Sequence, residues 1–344
     1  MAYTTINKST DYFNTKLYTG NGSAGHAITG VGFQPDWTWI KSRNITKDHM
    51  LFDAVRGVTK ALKTNQTSEE DANADFLTAF GTDGFTVGNN GKINTSSDPL
   101  VSWNWKAGGS ASSNSDGSIT STVSANTTAG FSIVSYTGTG SAGTIGHGLG
   151  STPKMIIVKC RSDADTWAGY HVDVGATKYL ELDTTAAAQT STQPWNDTEP
   201  TSSVFTVGNW SATNGSSKTY IAYCFAEKTG YSKFGSYVGN GSSSGTYVHL
   251  GFKPAFLIIK KSSATEDWGL IDNKRDPNND GSSSQLFPNG NNVEDASNDR
   301  ADFLSNGFKL RTSSGQWNTS GGTYIYMAFG QSLVGSNNVP CTAR

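Results

Sequence analysis

The residues with the first claim to chemistry are the carboxylates Asp53, Asp83, Glu199 and Asp272. Glycoside hydrolysis would need two of them flanking one bond, at about 5 Å or about 6.5–9.5 Å. No Glu-x-Asp-x-Glu strand occurs, and the position of Asp53 recurs as His171 and Asp272, so the acid is not kept. There is no G-x-S-x-G elbow and no Cys/His pair, and the five histidines have no metal-ligand spacing. The sequence predicts no catalytic residue, no metal site and no cofactor.

Two stretches imitate a dinucleotide loop, Gly20-Asn21-Gly22-Ser23-Ala24-Gly25 and Gly138-Thr139-Gly140-Ser141-Ala142-Gly143. That chemistry needs a helix N-terminus directly afterwards to hold a pyrophosphate. Here a second strand follows, so hairpin turns explain the glycines. Asp276-Pro277-Asn278-Asn279-Asp280-Gly281 copies the first half of a calcium loop, but Phe287 stands where the bidentate Glu belongs. A surface loop is the simpler reading.

Binding is what remains. Three polar loops, at residues 89–99, 209–218 and 313–322, each carry an Asn: Asn94, Asn214 and Asn318, 120 and then 104 residues apart. Trp210 and Trp317 lie in two of them, and an exposed indole can stack on a sugar face. The candidate glycan or partner contacts are therefore Asn209, Trp210, Asn214, Trp317 and Asn318. Against this stands a plainer role, in which Asn sets turn geometry and Trp covers the end of a sheet.

These loops are positioned by a repeat. Pro35, Pro153 and Pro254 each lead a β-branched or aromatic run that closes on Lys41, Lys159 or Lys260, and both marks step by 118 and then 101 residues. Upstream, Tyr18, Tyr136 and Tyr237 keep the same steps. Downstream, each copy ends on an apolar strand: Val101-Ser102-Trp103-Asn104-Trp105, Ile221-Ala222-Tyr223-Cys224-Phe225 and Ile325-Tyr326-Met327-Ala328-Phe329. Fixed spacing at several marks predicts an internal triplicate. The expected fold is all-β, three tandem antiparallel β-sandwich domains with little helix, over residues 1–109, 110–229 and 230–344. Residues 107–118 read as a linker leaving the first domain freer, with an extra edge strand after it. Ser68-Glu69-Glu70-Asp71 has capping-box form and predicts a turn or two of helix before Phe80, with a weaker echo at 295–304.

Charged residues are 16% of the chain and the net charge is -2 with no basic run, which argues against a nucleic-acid partner. No run of about 18 apolar residues predicts a membrane span, and no apolar leader is visible. Cys160, Cys224 and Cys341 are an odd set without metal spacing and read as small buried hydrophobes.

Tyr18-Thr19-Gly20-Asn21-Gly22, Tyr237-Val238-Gly239-Asn240-Gly241, the repeated Gly-Phe-x-Pro, Trp103-Asn104-Trp105-Lys106-Ala107-Gly108-Gly109 and the stretch from Pro200 to Gly208 together resemble a repeated β domain of tailed (marine) bacteriophage structural, tail-fibre-like proteins. The resemblance covers nearly the whole chain. It implies a virion protein with lectin-like (jelly-roll-like) sandwich domains, assembled in the host cytoplasm, and it carries no established active site. The expected function is a non-enzymatic tail-fibre or appendage protein that contacts the host surface, with capsid decoration as the alternative and a carbohydrate-active enzyme behind both. Expected partners are other virion proteins of the tail or capsid, a host cell-surface glycan, and further copies of the chain as a homo-oligomer.

Overall fold

The computed structural model describes residues 3–333 and is all-β, with antiparallel pairing between its strands. The first group of strands is β1 (Phe13–Thr19), β2 (His26–Thr29), β3 (Trp37–Ser42), β4 (Met50–Asp53), β5 (Lys60–Lys63), β6 (Asp71–Ala72), β7 (Leu77–Gly81), β8 (Gly84–Val87) and β9 (Pro99–Trp105). The second is β10 (Ser112–Asn114), β11 (Ser121–Asn126), β12 (Phe131–Thr137), β13 (Gly143–Gly146), β14 (Met155–Cys160), β15 (Ala168–His171), β16 (Lys178–Glu181), β17 (Gln189–Thr190), β18 (Val204–Val207) and β19 (Thr219–Phe225). The third is β20 (Ser232–Val238), β21 (Tyr247–His249), β22 (Lys253–Lys261), β23 (Gly269–Asp272), β24 (Ala301–Leu304), β25 (Gly307–Leu310) and β26 (Thr323–Gln331). One-turn helices α1 (Gly91–Asn94), α2 (Ser211–Asn214) and α3 (Gly315–Asn318) precede the last strand of each group.

Each group forms a large sheet and a small one. The large sheets run β1-β9-β3-β4-β5-β6, β10-β11-β12-β19-β14-β15-β16-β17 and β20-β26-β22-β23, so one four-strand order occurs three times. The small sheets are β2-β8-β7, β13-β18 and β21-β25-β24. Between the first pair of sheets lies a core of Ile28, Phe85 and Val87 against Ile40, Phe52 and Leu100. The other two pairs have cores of their own.

The opposite faces of the large sheets do not meet water. They meet one another. Trp37 stacks on Tyr223 with ring centroids 4.6 Å apart and an interplanar angle of 25°. Phe329 touches Phe13 at 5.4 Å, Trp105 at 5.7 Å and Phe225 at 6.0 Å, so rings from all three groups pack together. This is why β3 and β14 are buried along their whole length on both faces. The expected freedom of the first domain is thereby overturned: it supplies Trp37, Trp39, Trp103 and Trp105 to the common core. Part of the expected linker is itself strand, β10, laid beside β11.

Three junctions close the arrangement into a ring. Glu70 N donates to Arg161 O and Asp165 N to Thr67 O; Ala188 N donates to Ser262 O and Glu266 N to Thr185 O; Glu294 N donates to Arg43 O and Lys47 N to Asn291 O. Two junctions add a forked ion pair, Arg161 with Glu70 and Arg43 with Glu294, while Ser262 and Ala188 stand at the middle one. The expected helix near Glu70 is absent for this reason. Arg56 and Arg161 take its carboxylate and Arg161 O takes its amide, while Asp71 pairs in β6 against β5. Tertiary partners outweigh a local capping signal.

Candidate functional site

The recurring Asn is best understood from its atoms. Asn94 Oδ1 accepts from Asn21 N at 2.8 Å, while its Nδ2 donates to Gly88 O at 2.7 Å and Ser23 O at 2.9 Å. Asn214 bonds Thr139 N, Gly208 O and Ser141 O, and Asn318 bonds Asn240 N, Thr312 O and Ser242 O. Each amide ties the first hairpin to the end of the strand before the helix, so its donor and acceptor capacity is spent. The glycines follow from the same knot. A Cβ on Gly20 would sit 2.1 Å from Thr95 O, and Gly22 holds φ +70 where its N–H meets Asn94 O.

Among the expected glycan contacts, Asn214, Asn318 and Trp317 are therefore corrected: all three are fully buried. Trp317 packs in the third sheet pair's core and its Nε1 donates to Gln285 Oε1 at 2.7 Å. An indole so enclosed presents no face to a sugar. Asn209 is exposed, and Trp210 is half-buried, tilted against Tyr179 with centroids 4.8 Å apart. Beside them a depression of about 320 Å³ is lined by Ser141, Thr192, Asn196 and Asn209. Only this part of the expected site lies at the surface.

The carboxylates are occupied. Asp53 Oδ2 accepts from Arg56 Nε at 2.5 Å and from Tyr223 OH of the second group at 2.8 Å. Asp272 Oδ2 accepts from Arg275 Nε at 2.6 Å and from Trp103 Nε1 of the first group at 2.9 Å. His171 stands at the corresponding place and reaches Tyr326 O of the third group at 3.2 Å. Burial holds this imidazole's pKa at about 4, and with Nδ1 accepting from Asp173 N, the neutral ring donates from Nε2. Each of the three thus serves the next sheet round the ring. Asp83 braces Gly30 N and Gly32 N, and those amides hold its pKa below the usual range. Glu199 accepts from Tyr170 OH and Ala176 N.

The lysines that mark the repeat in the sequence are structural parts in the fold. Lys159 Nζ donates across a junction to Thr67 O at 2.9 Å, and Lys260 Nζ donates to Thr185 O at 3.2 Å. Lys41 donates to Ser42 O, and desolvation brings the pKa of Lys41 and Lys260 down to about 8. A charged residue repeated at the end of an apolar run was the sequence signal for this role.

Cys160 and Cys224 are buried free thiols; Cys341 lies outside the described residues. Among the described residues no three His, Cys, Asp or Glu side chains gather as a metal would need, the Asp276 loop included. Asn279 of that loop instead pins Phe303 through both its amide atoms. No helix among the described residues is long and apolar enough to cross a membrane.

The family model described as Domain of unknown function (DUF7483) matches residues 8–332. The chain belongs to that family. The match runs from just before β1 to just after β26, so one family domain takes in all three sheet pairs. Neither the curated proteins nor the solved structures yield a match.

Proposed function

We propose that the protein is a non-enzymatic structural component on the outside of a tailed-bacteriophage virion, built from three copies of one β-sandwich unit locked into a ring. The observation that carries the non-enzymatic reading is the use of Asp53, His171 and Asp272. The groups best suited to acid–base work are sealed between sheets, each holding the next sheet in place. The sequence resemblance supplies the virion. Its partners on this reading are other tail or capsid proteins, with further copies of the chain in the assembly.

An appendage that touches the host surface is the first choice, through the exposed edge at Asn209 and Trp210. Capsid decoration is the second, and Trp317 favours it. Its burial removes one of the two indoles on which glycan stacking rested. A compact ring with three similar sides also suits a threefold position of a lattice. Quantitative mass spectrometry of purified virions tests both. A few to a few tens of copies, located at the tail, support the appendage. Hundreds matching the capsid subunit establish decoration, and absence from the particle overturns the virion reading. Turnover of host polysaccharide, abolished by Asp83→Asn or Glu199→Gln, would replace it with an enzyme.

A further inference from the structure

The same edge of the large sheet is treated differently in two of the groups. In the second group the outer edge of β12 is covered by β11, with Phe131 opposite Asn126 and Ile133 opposite Ser124. In the first group the corresponding strand is β1: Phe13 and Phe131 lie opposite Trp105 and Phe225, and Thr15 and Ile133 lie opposite Trp103 and Tyr223. Among the described residues no strand pairs with the outer edge of β1. Gly20 and Lys106 bond through the inner side, to Asp98 O and Tyr12 O, which leaves the amides of Phe13, Thr15, Leu17 and Thr19 on the outer side.

Beside this edge lies a cleft of about 590 Å³ between β1 and the third group. Phe13, Ala255, Phe303 and Leu304 give it an apolar floor, and Lys253 and Lys274 stand on its rim without an ion pair among the described residues. Thr15 lines it as well. Its Oγ1 is buried with no hydrogen-bond partner, where Ile133 and Phe234 stand in the other groups. We infer that the outer edge of β1 is a β-augmentation site that takes an extended, acidic segment of another protein chain. The occupant runs antiparallel to β1 as β11 runs to β12, its backbone meeting the free amides, a carboxylate meeting Lys253 and Lys274, and a polar group reaching Thr15 Oγ1.

The test uses the full chain and a dye-labelled peptide, Ser-Thr-Val-Glu-Ala-Asn, which is β11 with Glu in its fourth place. Saturable binding by fluorescence anisotropy is expected, weakened at least tenfold by 0.5 M salt and absent for the peptide with Lys in that place. Lys274→Glu, at an exposed side chain, should weaken binding at least tenfold. Thr15→Pro should abolish it, because it removes an outward amide and leaves the β9 ladder whole. If Thr15→Pro does not fold, Lys274→Glu and the Lys peptide decide. Absence of binding at millimolar peptide, or binding indifferent to both charge changes, overturns the proposal. So does binding seen only after deletion of residues 334–344, which would make the chain's own end the occupant.

Discussion

The indole Nε1 of Trp103 donates to Asp272 Oδ2 at 2.9 Å, joining residues 169 positions apart and closing the third group of strands onto the first. Arg275 shares that carboxylate and lies over the Trp103 ring at 5.5 Å. All three side chains are buried, so removing the acid leaves the guanidinium with Glu294 and Leu270 O alone and takes the acceptor from the Trp103 indole. Asp272→Ala should cost about 2–4 kcal/mol in urea unfolding. A loss below 1 kcal/mol would mean that the junction is open in solution.

Trp37→Ala removes the ring that contacts Trp39, Trp105, Phe131 and Tyr223 together. A loss of about 3–5 kcal/mol is expected. Because the cavity opens in a core shared by all groups, calorimetry should show one endotherm moving down whole. A split into separate transitions would mark independent domains instead.

Asn318→Ala deletes three hydrogen bonds in the knot that holds the third polar loop. At about 0.5–1.5 kcal/mol each, part of it recovered by water, the expected loss is about 2–4 kcal/mol. Asn94→Ala and Asn214→Ala should behave alike in thermal melts. Glycan-array binding, if any is found, should respond to Trp210→Ala and not to Trp317→Phe.

His171 is held neutral by burial, with a pKa of about 4 against an ordinary 6.5. A depressed pKa gives stability that is present above 6.5 and is lost as pH falls through about 4. The loss is on the order of 3 kcal/mol. His171→Gln should flatten the decline in stability between pH 7 and pH 4, read by urea titrations at several pH values. An unchanged slope would contradict the assignment.

Asp276 shifts the other way. Burial and the neighbouring Asp280 charge raise its pKa to about 6. Its favourable contribution is present below about 4 and is lost as pH rises through about 6. Asp276→Asn should therefore raise the melting temperature at pH 7.5 and leave it unchanged at pH 3.5. A lower melting temperature at pH 7.5 would show that the carboxylate is needed charged.

The strands themselves were legible because they obey local rules. Trp37 to Ile40, Met155 to Val158 and Phe256 to Ile259 are short β-formers led in by Pro or Gly, and the Gly-x-Gly turns announce their hairpins. Their neighbours across the ring were not legible, since nothing near Asp272 in sequence points to Trp103. One clue was present: Met155-Ile156-Ile157-Val158 lacks the polar alternation of a half-exposed strand, which means cover on both faces. The site was read less well. Trp317 sits in a polar stretch and looks exposed, but one turn of helix swings it onto Gln285. Asn94, Asn214 and Asn318 were found by spacing alone, and spacing cannot say whether an amide faces solvent or three backbone groups.

The ring also frees each of its three positions to change alone. Separate identical subunits around an axis must accept every substitution three times, at every contact at once. Here a single chain carries Asp53 and Asp272 at two places and His171 at the third, forked ion pairs at two junctions and Ser262 at the other, and a covering hairpin at the edge of β12 but, among the described residues, none at β1. Joining the groups end to end turns three similar groups into a body whose sides can be addressed separately, so that one flank can take a substitution or a covering strand that the other two do without.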